Sequence, residues 1–397
     1  MRKGGTGRRG SGGRRIRVGV IFGGRSVEHE VSLVSARAVM KALDPARYEV
    51  VPIGITRQGR WVTGKTSRAI PPDPSVRGLV PLRGRTSGAI RRSPRERRRA
   101  NPGRLDVVFP IVHGAGGEDG SLQGVLDLAD IPYVGAGVLG SALGMDKATM
   151  KALFRDAGLP IVDYQVIRRP DLDRDIEGVA TGAEQAFGYP CFVKPSNGGS
   201  SVGVSKAHDR RELLKGLRLA ARYDRKIIIE RAIAAREVEC SVLGNDEPEV
   251  SIVGEIIPAH EFYDYNAKYL DEGSRLEIPA RIAPDQARLV REYALRAFRA
   301  LDLAGMARVD FFLDRTTEAV FLNEVNTIPG FTPISMYPKL WEASGLPFPR
   351  LVDRLIALAR DRHADRKTLI TKFTPSRDGG RPAIAPAGSR GRRRRRA

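Results

Sequence analysis

Cysteine is almost missing from this chain, with two residues in 397, Cys191 and Cys240. Both fall in apolar, strand-like runs, which excludes a disulfide framework and favours free buried thiols in a reducing, cytoplasmic setting. Long hydrophobic runs are missing as well. No stretch approaches the ~18 apolar residues of a membrane-spanning helix. The basic N-terminus leads into I-R-V-G-V-I-F (residues 16–22), which Gly23 and Gly24 end too soon for a signal segment, so it reads as a first strand.

Acidic charge is short only locally. The net charge is +21, but residues 1–15 carry +6 with no acidic side chain, 57–104 carry +12 and 366–397 carry +10, so the rest is acidic on balance. The basic excess sits in Gly/Pro/Arg-rich segments such as R-R-S-P-R-E-R-R-R (residues 91–99), which read as loop or disordered tail. Their attraction to nucleic acid or anionic membrane is non-specific, and an arginine-heavy solvated surface explains them better than a dedicated partner.

What is present suits two or three domains around a large core. A strand at 16–22, an amphipathic helix at 30–43, strands at 48–55 and 105–112 and a helix at 121–129 alternate as in a mainly parallel sheet. Ligands bind beyond the carboxyl ends of such strands. That brings Glu28 and His113 to one crevice. Residues 57–104 interrupt this unit as an insertion, with a short strand near 60–62. A helix at 145–158 carries Lys147 and Lys151, and 161–209, a helix to 223 and a strand at 226–230 form a small α+β unit. Strands at 237–242, 250–257, 307–313 and 319–325 predict an antiparallel sheet, with helices at 284–301, 334–344 and 350–361. The polar, aromatic loop 259–277 is long enough to be a lid. The expected division is a basic tail (1–15), an N-terminal α/β unit (16–144), a central unit (145–232), a C-terminal unit (233–365) and a second tail (366–397).

The run D-F-F-L-D-R-T-T-E-A-V-F-L-N-E-V-N-T-I-P-G (residues 310–330) reads as two antiparallel strands carrying Asp310, Glu324 and Asn326. Residues two apart on a strand share a face, so two carboxylates and an amide converge, with Arg308 beside Asp310. Oxygen donors without His or Cys suit a hard cation such as Mg²⁺. A solvated strand face with scattered acids is the plainer alternative, and the flanking Phe311, Phe312, Phe321 and Leu322 argue against it. Upstream, F-V-K-P-S-N-G-G-S-S-V-G-V-S-K (residues 192–206) is a glycine-rich hairpin with Lys194 and Lys206 at its rims. Its backbone N–H groups can form an anion nest, with Ser200 and Ser201 adding hydroxyls. It is neither of the helix-terminated phosphate loops, since a strand rather than a helix is expected to follow it.

Together with G-G-R-S-V-E-H-E-V-S-L (23–33), H-G-A-G-G-E-D-G-S-L-Q-G (113–124), F-Y-D-Y-N-A-K-Y (262–269) and N-E-V-N-T-I-P-G-F-T (323–332), these segments resemble the D-alanine–D-alanine ligases of the ATP-grasp superfamily over roughly residues 16–360. The resemblance implies an ATP-grasp fold, α/β and α+β, behind an N-terminal parallel α/β domain. It implies ATP-dependent joining of two D-alanines through an acyl phosphate for cell-wall precursor synthesis in a bacterial cytoplasm, two Mg²⁺ or Mn²⁺ ions and a homodimer. On that resemblance Lys147, Lys194 and the lid's Lys268 face phosphates, with Ser200, Ser201 and Asn323 also on ATP. Glu230 and Glu237 bracket the nucleotide hinge, Glu237 takes the ribose, and the Arg231 to Ile233 backbone reads the adenine edge. Glu28 holds the first ammonium and joins Ser200 and Tyr269 in a hydrogen-bonded trio. His113 belongs to the same substrate crevice. Arg308 and the Gly330 N–H stabilise the tetrahedral oxyanion, and Ser335 with the Met336 amide takes a carboxylate. Asp310, Glu324 and Asn326 hold the metal. A D-alanine–D-lactate ligase on the same fold is the nearest rival and a nucleic-acid-binding protein the rival of another class.

A salt titration separates the last rival. Oligonucleotide binding, where it occurs, is expected to fall steeply with salt and to vanish on deleting 1–15 and 366–397; binding that survives the deletion and resists salt would mean a folded nucleic-acid site.

Overall fold

The computed structural model describes residues 14–63, 104–257 and 275–370. Most of the insertion, most of the expected lid with Lys268 and Tyr269, and nearly all of both basic tails lie outside the described residues.

The apolar run at the start forms β1 (Ile16–Gly23), followed by α1 (His29–Ala42), β2 (Tyr48–Ile55), β3 (Trp61–Thr63) and β4 (Val107–Ile111). The sheet order is β3-β2-β1-β4, with β1 parallel to both β2 and β4 and only β3 antiparallel. Both faces are covered, as a parallel sheet requires. Leu33, Ala36 and Val39 of α1 pack on Val18, Val20 and Phe109, while Leu122 and Leu126 of α2 (Ser121–Leu128) pack on Ile21 and Val108 of the opposite face. Because β2 and β4 flank β1 on opposite sides, the strand order switches at β1, where a crevice opens at the carboxyl ends. Gly23 makes that turn with φ +91, and a Cβ there would lie 2.1 Å from the Ile55 carbonyl oxygen. No other residue fits.

Two helices absent from the sequence reading, at 138–145 and 169–187, lie on either side of the one expected at 145–158. α3 (Val138–Met145) buries Gly140 and Gly144, whose missing side chains let it lie close to its neighbours. α4 (Lys147–Asp156) begins where Asp146 accepts from the Thr149 N–H at 3.0 Å. β5 (Tyr164–Arg168) leads into α5 (Arg169–Phe187), which buries only Leu172, Ala180 and Ala183. So thin an apolar stripe, with a kink at Asp175, hides the helix from a periodicity test. β6 (Cys191–Pro195), β7 (Ser205–Ala207), α6 (Arg210–Tyr223) and β8 (Lys226–Arg231) complete an antiparallel sheet of order β5-β8-β6-β7.

The third sheet is also antiparallel. β9 (Ala235–Gly244), β11 (Gly254–Ile257), β12 (Arg275–Glu277), β13 (Gly305–Asp314) and β14 (Val320–Asn326) run in the order β12-β11-β9-β13-β14, with β10 (Glu249–Val250) paired to β9. α7 (Pro284–Ala300) covers it through Val290, Ala294, Ala297 and Phe298. α8 (Met336–Ala343) and α9 (Phe348–Arg366) then return to the first sheet, where Leu351, Val352 and Leu355 share a core with Val18, Val20 and Phe109.

Four expectations are corrected. The strand expected at 250–257 is two, because residues 251–253 leave the ladder. Residues 275–277 are a strand paired with β11, not lid. The strand after the glycine-rich loop starts at Ser205, not 202, since Ser200, Ser201 and Gly203 take positive φ. The last helix runs to Arg366, which pairs with Asp127 at 2.6 Å, so ordered chain extends past the start of the expected second tail.

Phe331 joins the first and third sheets. Its ring meets Phe109 edge-on at 5.7 Å and lies 5.6 Å from Tyr337, with 1% of its surface exposed. Truncation to Ala is expected to cost about 3–5 kcal/mol, read as a lower urea midpoint; an unchanged midpoint would show that the two sheets are held together elsewhere.

Candidate active site

The antiparallel register of β13 and β14 sets Asp310 opposite Glu324 and Arg308 opposite Asn326. Register shifts between Asp310 and Phe311, an irregularity of the kind that re-aims side chains beside active sites. Arg308 donates from Nε and Nη2 to the two Asp310 oxygens at 2.7 and 2.6 Å, and Asn326 Nδ2 donates to the same carboxylate at 2.9 Å. On the other side β9 sets Glu239 opposite Asp310, with its Oε2 3.0 Å from Arg308 Nε. Burial opposes the Arg308 charge, but Asp310 and Glu239 overcome it and hold the guanidinium ionised well above its ordinary range.

A cavity of about 490 Å³ lies between the second and third sheets. All nine described residues expected on ATP line it: Lys147, Lys194, Ser200, Ser201, Glu230, Arg231, Ile233, Glu237 and Asn323, together with Glu324 and Asn326 of the metal set. Ser200 and Ser201 both adopt left-handed backbone (φ 47 and 58), which turns successive N–H groups of the loop into a concave nest. Lys147 is not the solvated helix lysine its position suggests. It is 17% exposed, 3.1 Å from Glu324 Oε2, and donates to the Gly198 carbonyl at 2.7 Å. Burial lowers its affinity for a proton, but Glu324 more than reverses this and its pKa is raised. Asp310 does not line this cavity; both of its oxygens accept from Arg308 and one also from Asn326.

Glu230 is buried more deeply than its place at a strand end suggests. A strand-end glutamate is ordinarily solvated, but this one is 2% exposed. Its Oε1 stands 2.9 Å from Lys151 Nζ, and its other oxygen pairs with Lys194. Burial raises a carboxyl's pKa, yet Lys151 and Lys194 outweigh it and hold Glu230 down at about 2. Lys151, 1% exposed, is driven below its ordinary range by burial against the pull of Glu230. Lys151 carries no role in the sequence reading. A lysine four residues after Lys147 lies on the same helix face, which is the signal that could have found it.

The N-terminal crevice meets the loop. Ser200 Oγ donates to Glu28, two of the expected trio, while Tyr269 lies outside the described residues. Gly199 comes so near that a Cβ would sit 2.7 Å from Glu28 Oε2. His113 is buried; burial depresses its pKa, while Glu28 pulls the other way. Its Nδ1 lies 3.0 Å from the Ile328 carbonyl, which can only accept, so Nδ1 carries the proton. Nε2 faces Ser35 Oγ at 3.4 Å, and that hydroxyl accepts from the Phe331 N–H at 3.1 Å. Gly330 abuts Ser335, where a Cβ would meet Oγ at 2.6 Å. Ser335 precedes α8 and its Oγ accepts from the Thr332 N–H at 3.0 Å, and the Met336 side chain packs into a small core with Ile256 and Leu340. Glu118, another residue without an expected role, lines the cavity and accepts from Gly114 N–H at 2.6 Å and Ile328 N–H at 3.2 Å. Burial first, then the Glu28 charge, pushes its pKa up to about 8.

Two antiparallel sheets closing on a phosphate-type loop, with oxygen donors on the facing strands and a parallel α/β unit in front, define an ATP-grasp enzyme. The family model for the D-ala D-ala ligase N-terminus matches residues 17–136 and that for the C-terminus matches 153–357. The D-alanine–D-alanine ligase of Acetivibrio thermocellus is 48% identical over 372 residues, 89% of this chain and 98% of the relative; that of Thermoanaerobacter pseudethanolicus is 50% identical over 366 residues, 88% and 98%. Among solved structures, the D-alanine-D-alanine ligase from Coxiella burnetii superposes with a TM-score of 0.75 at 36% identity, covering 89% of this chain and 96% of its own. The VanG D-Ala:D-Ser ligase from Enterococcus faecalis gives 0.71 at 35%, covering 87% and 100%. The chain therefore belongs to the D-alanine–D-alanine ligase family.

Lys151→Met leaves Glu230 with Lys194 alone. Breaking a buried pair costs about 3–5 kcal/mol, and the remaining lysine puts this variant near the lower end. The depressed Glu230 contributes stability that is full above the ordinary carboxylate range and is lost as pH falls toward about 2. Acid unfolding of the variant is therefore expected at higher pH; identical acid transitions would remove the pair from the stability of the fold.

Proposed function

We propose that this protein joins two D-alanines to D-alanyl-D-alanine at the expense of ATP, for peptidoglycan precursor synthesis. One observation carries the reading: the described residues expected to bind nucleotide line one cavity, and its loop is bonded through Ser200 to Glu28 of the crevice meant for the amino acid.

In the first step the carboxylate of one D-alanine attacks the γ-phosphorus of ATP, forming an acyl phosphate and releasing ADP. Lys147, Lys194 and the nest at Ser200 and Ser201 orient the phosphates, and Glu237 takes the ribose. Glu28 holds the ammonium of the first D-alanine. In the second step the unprotonated amine of the other D-alanine attacks the acyl carbon. The bond to phosphate breaks as the tetrahedral oxyanion collapses, and the amine's extra proton leaves to solvent. Arg308 and the Gly330 N–H face that oxyanion, and such preorganised donors contribute most when their position is fixed beforehand. Ser335 and the Met336 amide at the start of α8 suit the acceptor carboxylate.

Asp310, Glu324 and Asn326 offer oxygen alone, two carboxylates and one amide, the donor set of a hard cation that keeps water and phosphate oxygens in its shell. Asp310, Glu324 and Asn326 would hold Mg²⁺ or Mn²⁺, which would supply positive charge against the charge developing on the transferred group.

Asp310→Ala, Glu324→Ala and Lys194→Ala are each expected to lower phosphate release from ATP and D-alanine by at least about 10²–10³-fold; wild-type turnover in Glu324→Ala would sink the metal assignment. Acceptor choice is decided by competing D-alanine with D-lactate and D-serine from pH 6 to 9 and separating the products. An amine nucleophile must shed a proton before it attacks, so dipeptide formation should rise with pH across this range, whereas predominant depsipeptide at pH 7 would overturn the acceptor.

A further inference from the structure

Glu118 and His113 approach the same residue from opposite sides. Glu118 Oε1 accepts from the Ile328 N–H at 3.2 Å, and His113 Nδ1 donates to the Ile328 carbonyl at 3.0 Å. The other Glu118 oxygen accepts from the Gly114 N–H at 2.6 Å, which ties the carboxylate to its own turn. His113 is steadied in turn by Ser35, whose oxygen also takes the Phe331 N–H. Residues 113–118 of the first unit thus grip the chain leaving β14, between Asn326 and Phe331.

That short stretch carries the chemistry assigned above. Asn326 lies two residues before Ile328, and Gly330 two residues after it. Pro329, between Ile328 and Gly330, has its φ locked by its ring, so the orientation of the Ile328 peptides passes to the Gly330 N–H with little slack. We infer that Glu118 is a positioning residue which, with His113, clamps Ile328 and so aims the Gly330 N–H at the developing oxyanion. Glu118 touches no reacting atom in this assignment; it acts through the backbone. The inference rests on the ligase reading of the site.

The shape of the clamp separates it from a role for charge alone. Glu118 spans two N–H donors with its two oxygens. Gln keeps the length but offers one acceptor oxygen in place of two, and Asp keeps the carboxyl group but is one methylene short of reaching both. Both Glu118→Gln and Glu118→Asp should therefore fail as clamps, whereas a charge role would be rescued by Asp.

The test uses the full chain. Hydrogen exchange is followed at the Ile328 amide, and ATP affinity, kcat and the ratio of phosphate released to dipeptide formed are measured for both variants. Misplacing a reacting group by about 1 Å costs on the order of 10²-fold, so kcat for dipeptide should fall about tenfold to 10²-fold in each. ATP affinity should hold, Ile328 exchange should quicken, and phosphate release should exceed dipeptide as the acyl phosphate hydrolyses. Unchanged Ile328 exchange in folded Glu118→Gln overturns the clamp, as does wild-type kcat in Glu118→Asp. A parallel loss of ATP affinity also overturns it, making Glu118 a nucleotide residue. If wild-type protein makes no dipeptide, the ligase reading fails, while the exchange result still decides whether Ile328 is clamped.

Discussion

The buried carboxylate of Glu230, held between Lys151 and Lys194, is the constraint from which the nucleotide side of the site follows. Burial works against the charge of Lys151 and against that of the carboxylate, and their pairing offsets both. Their mutual neutralisation locks α4 to β8 and β8 to β6, and the two strands are bonded from Cys191↔Arg231 to Pro195↔Ile227. The glycine-rich loop leaves β6 directly after Lys194. Its base is therefore set by the ion cluster beneath it, and its tip by the Lys147 bond to the Gly198 carbonyl and the Ser200 bond to Glu28.

The same device recurs across the site. Lys147 is set by Glu324, Arg308 by Asp310 and Glu239, and Ser200 by Glu28. Each group that must meet a negative charge is already oriented by an acid from another element. An oriented donor costs little to reorganise when charge develops, which is where an enzyme gains most over water. Because the partners come from all three sheets, no one of them contains the site. Phe331 and the core it shares with Phe109 and Tyr337 keep the units in register.

How much of this the sequence carried depends on the range of the interaction. Period-two alternation placed Asp310, Glu324 and Asn326 on facing strands, and the β13–β14 register agrees. Strand and helix alternation put Glu28 and His113 at the carboxyl ends of β1 and β4, where the crevice lies. The Glu230 cluster was not legible, because burial of a strand-end glutamate depends on a helix lysine 79 residues earlier in the chain. Nor was α5, whose apolar stripe is too thin for its length. Glu118 was quoted within a motif but given no work, since its partner Ile328 is 210 residues away.

Pairing every cation in advance also sets what a ligand has to do on entry. A polyphosphate arriving at Lys147 and Lys194 does not find free ammonium groups; it competes with Glu324 and Glu230 for them. Glu230 is sealed from solvent and also bound by Lys151, so Lys194 can share its charge without leaving an acid unpaired. Glu324, which pairs with Lys147, also feels the charges of Arg308 and Lys151, and it lies on the face where the oxygen donors gather. Drawing Lys147 toward phosphate would therefore leave Glu324 to the charges of Arg308 and Lys151, so the wall can share one cation with a polyphosphate without stranding the acid beneath it.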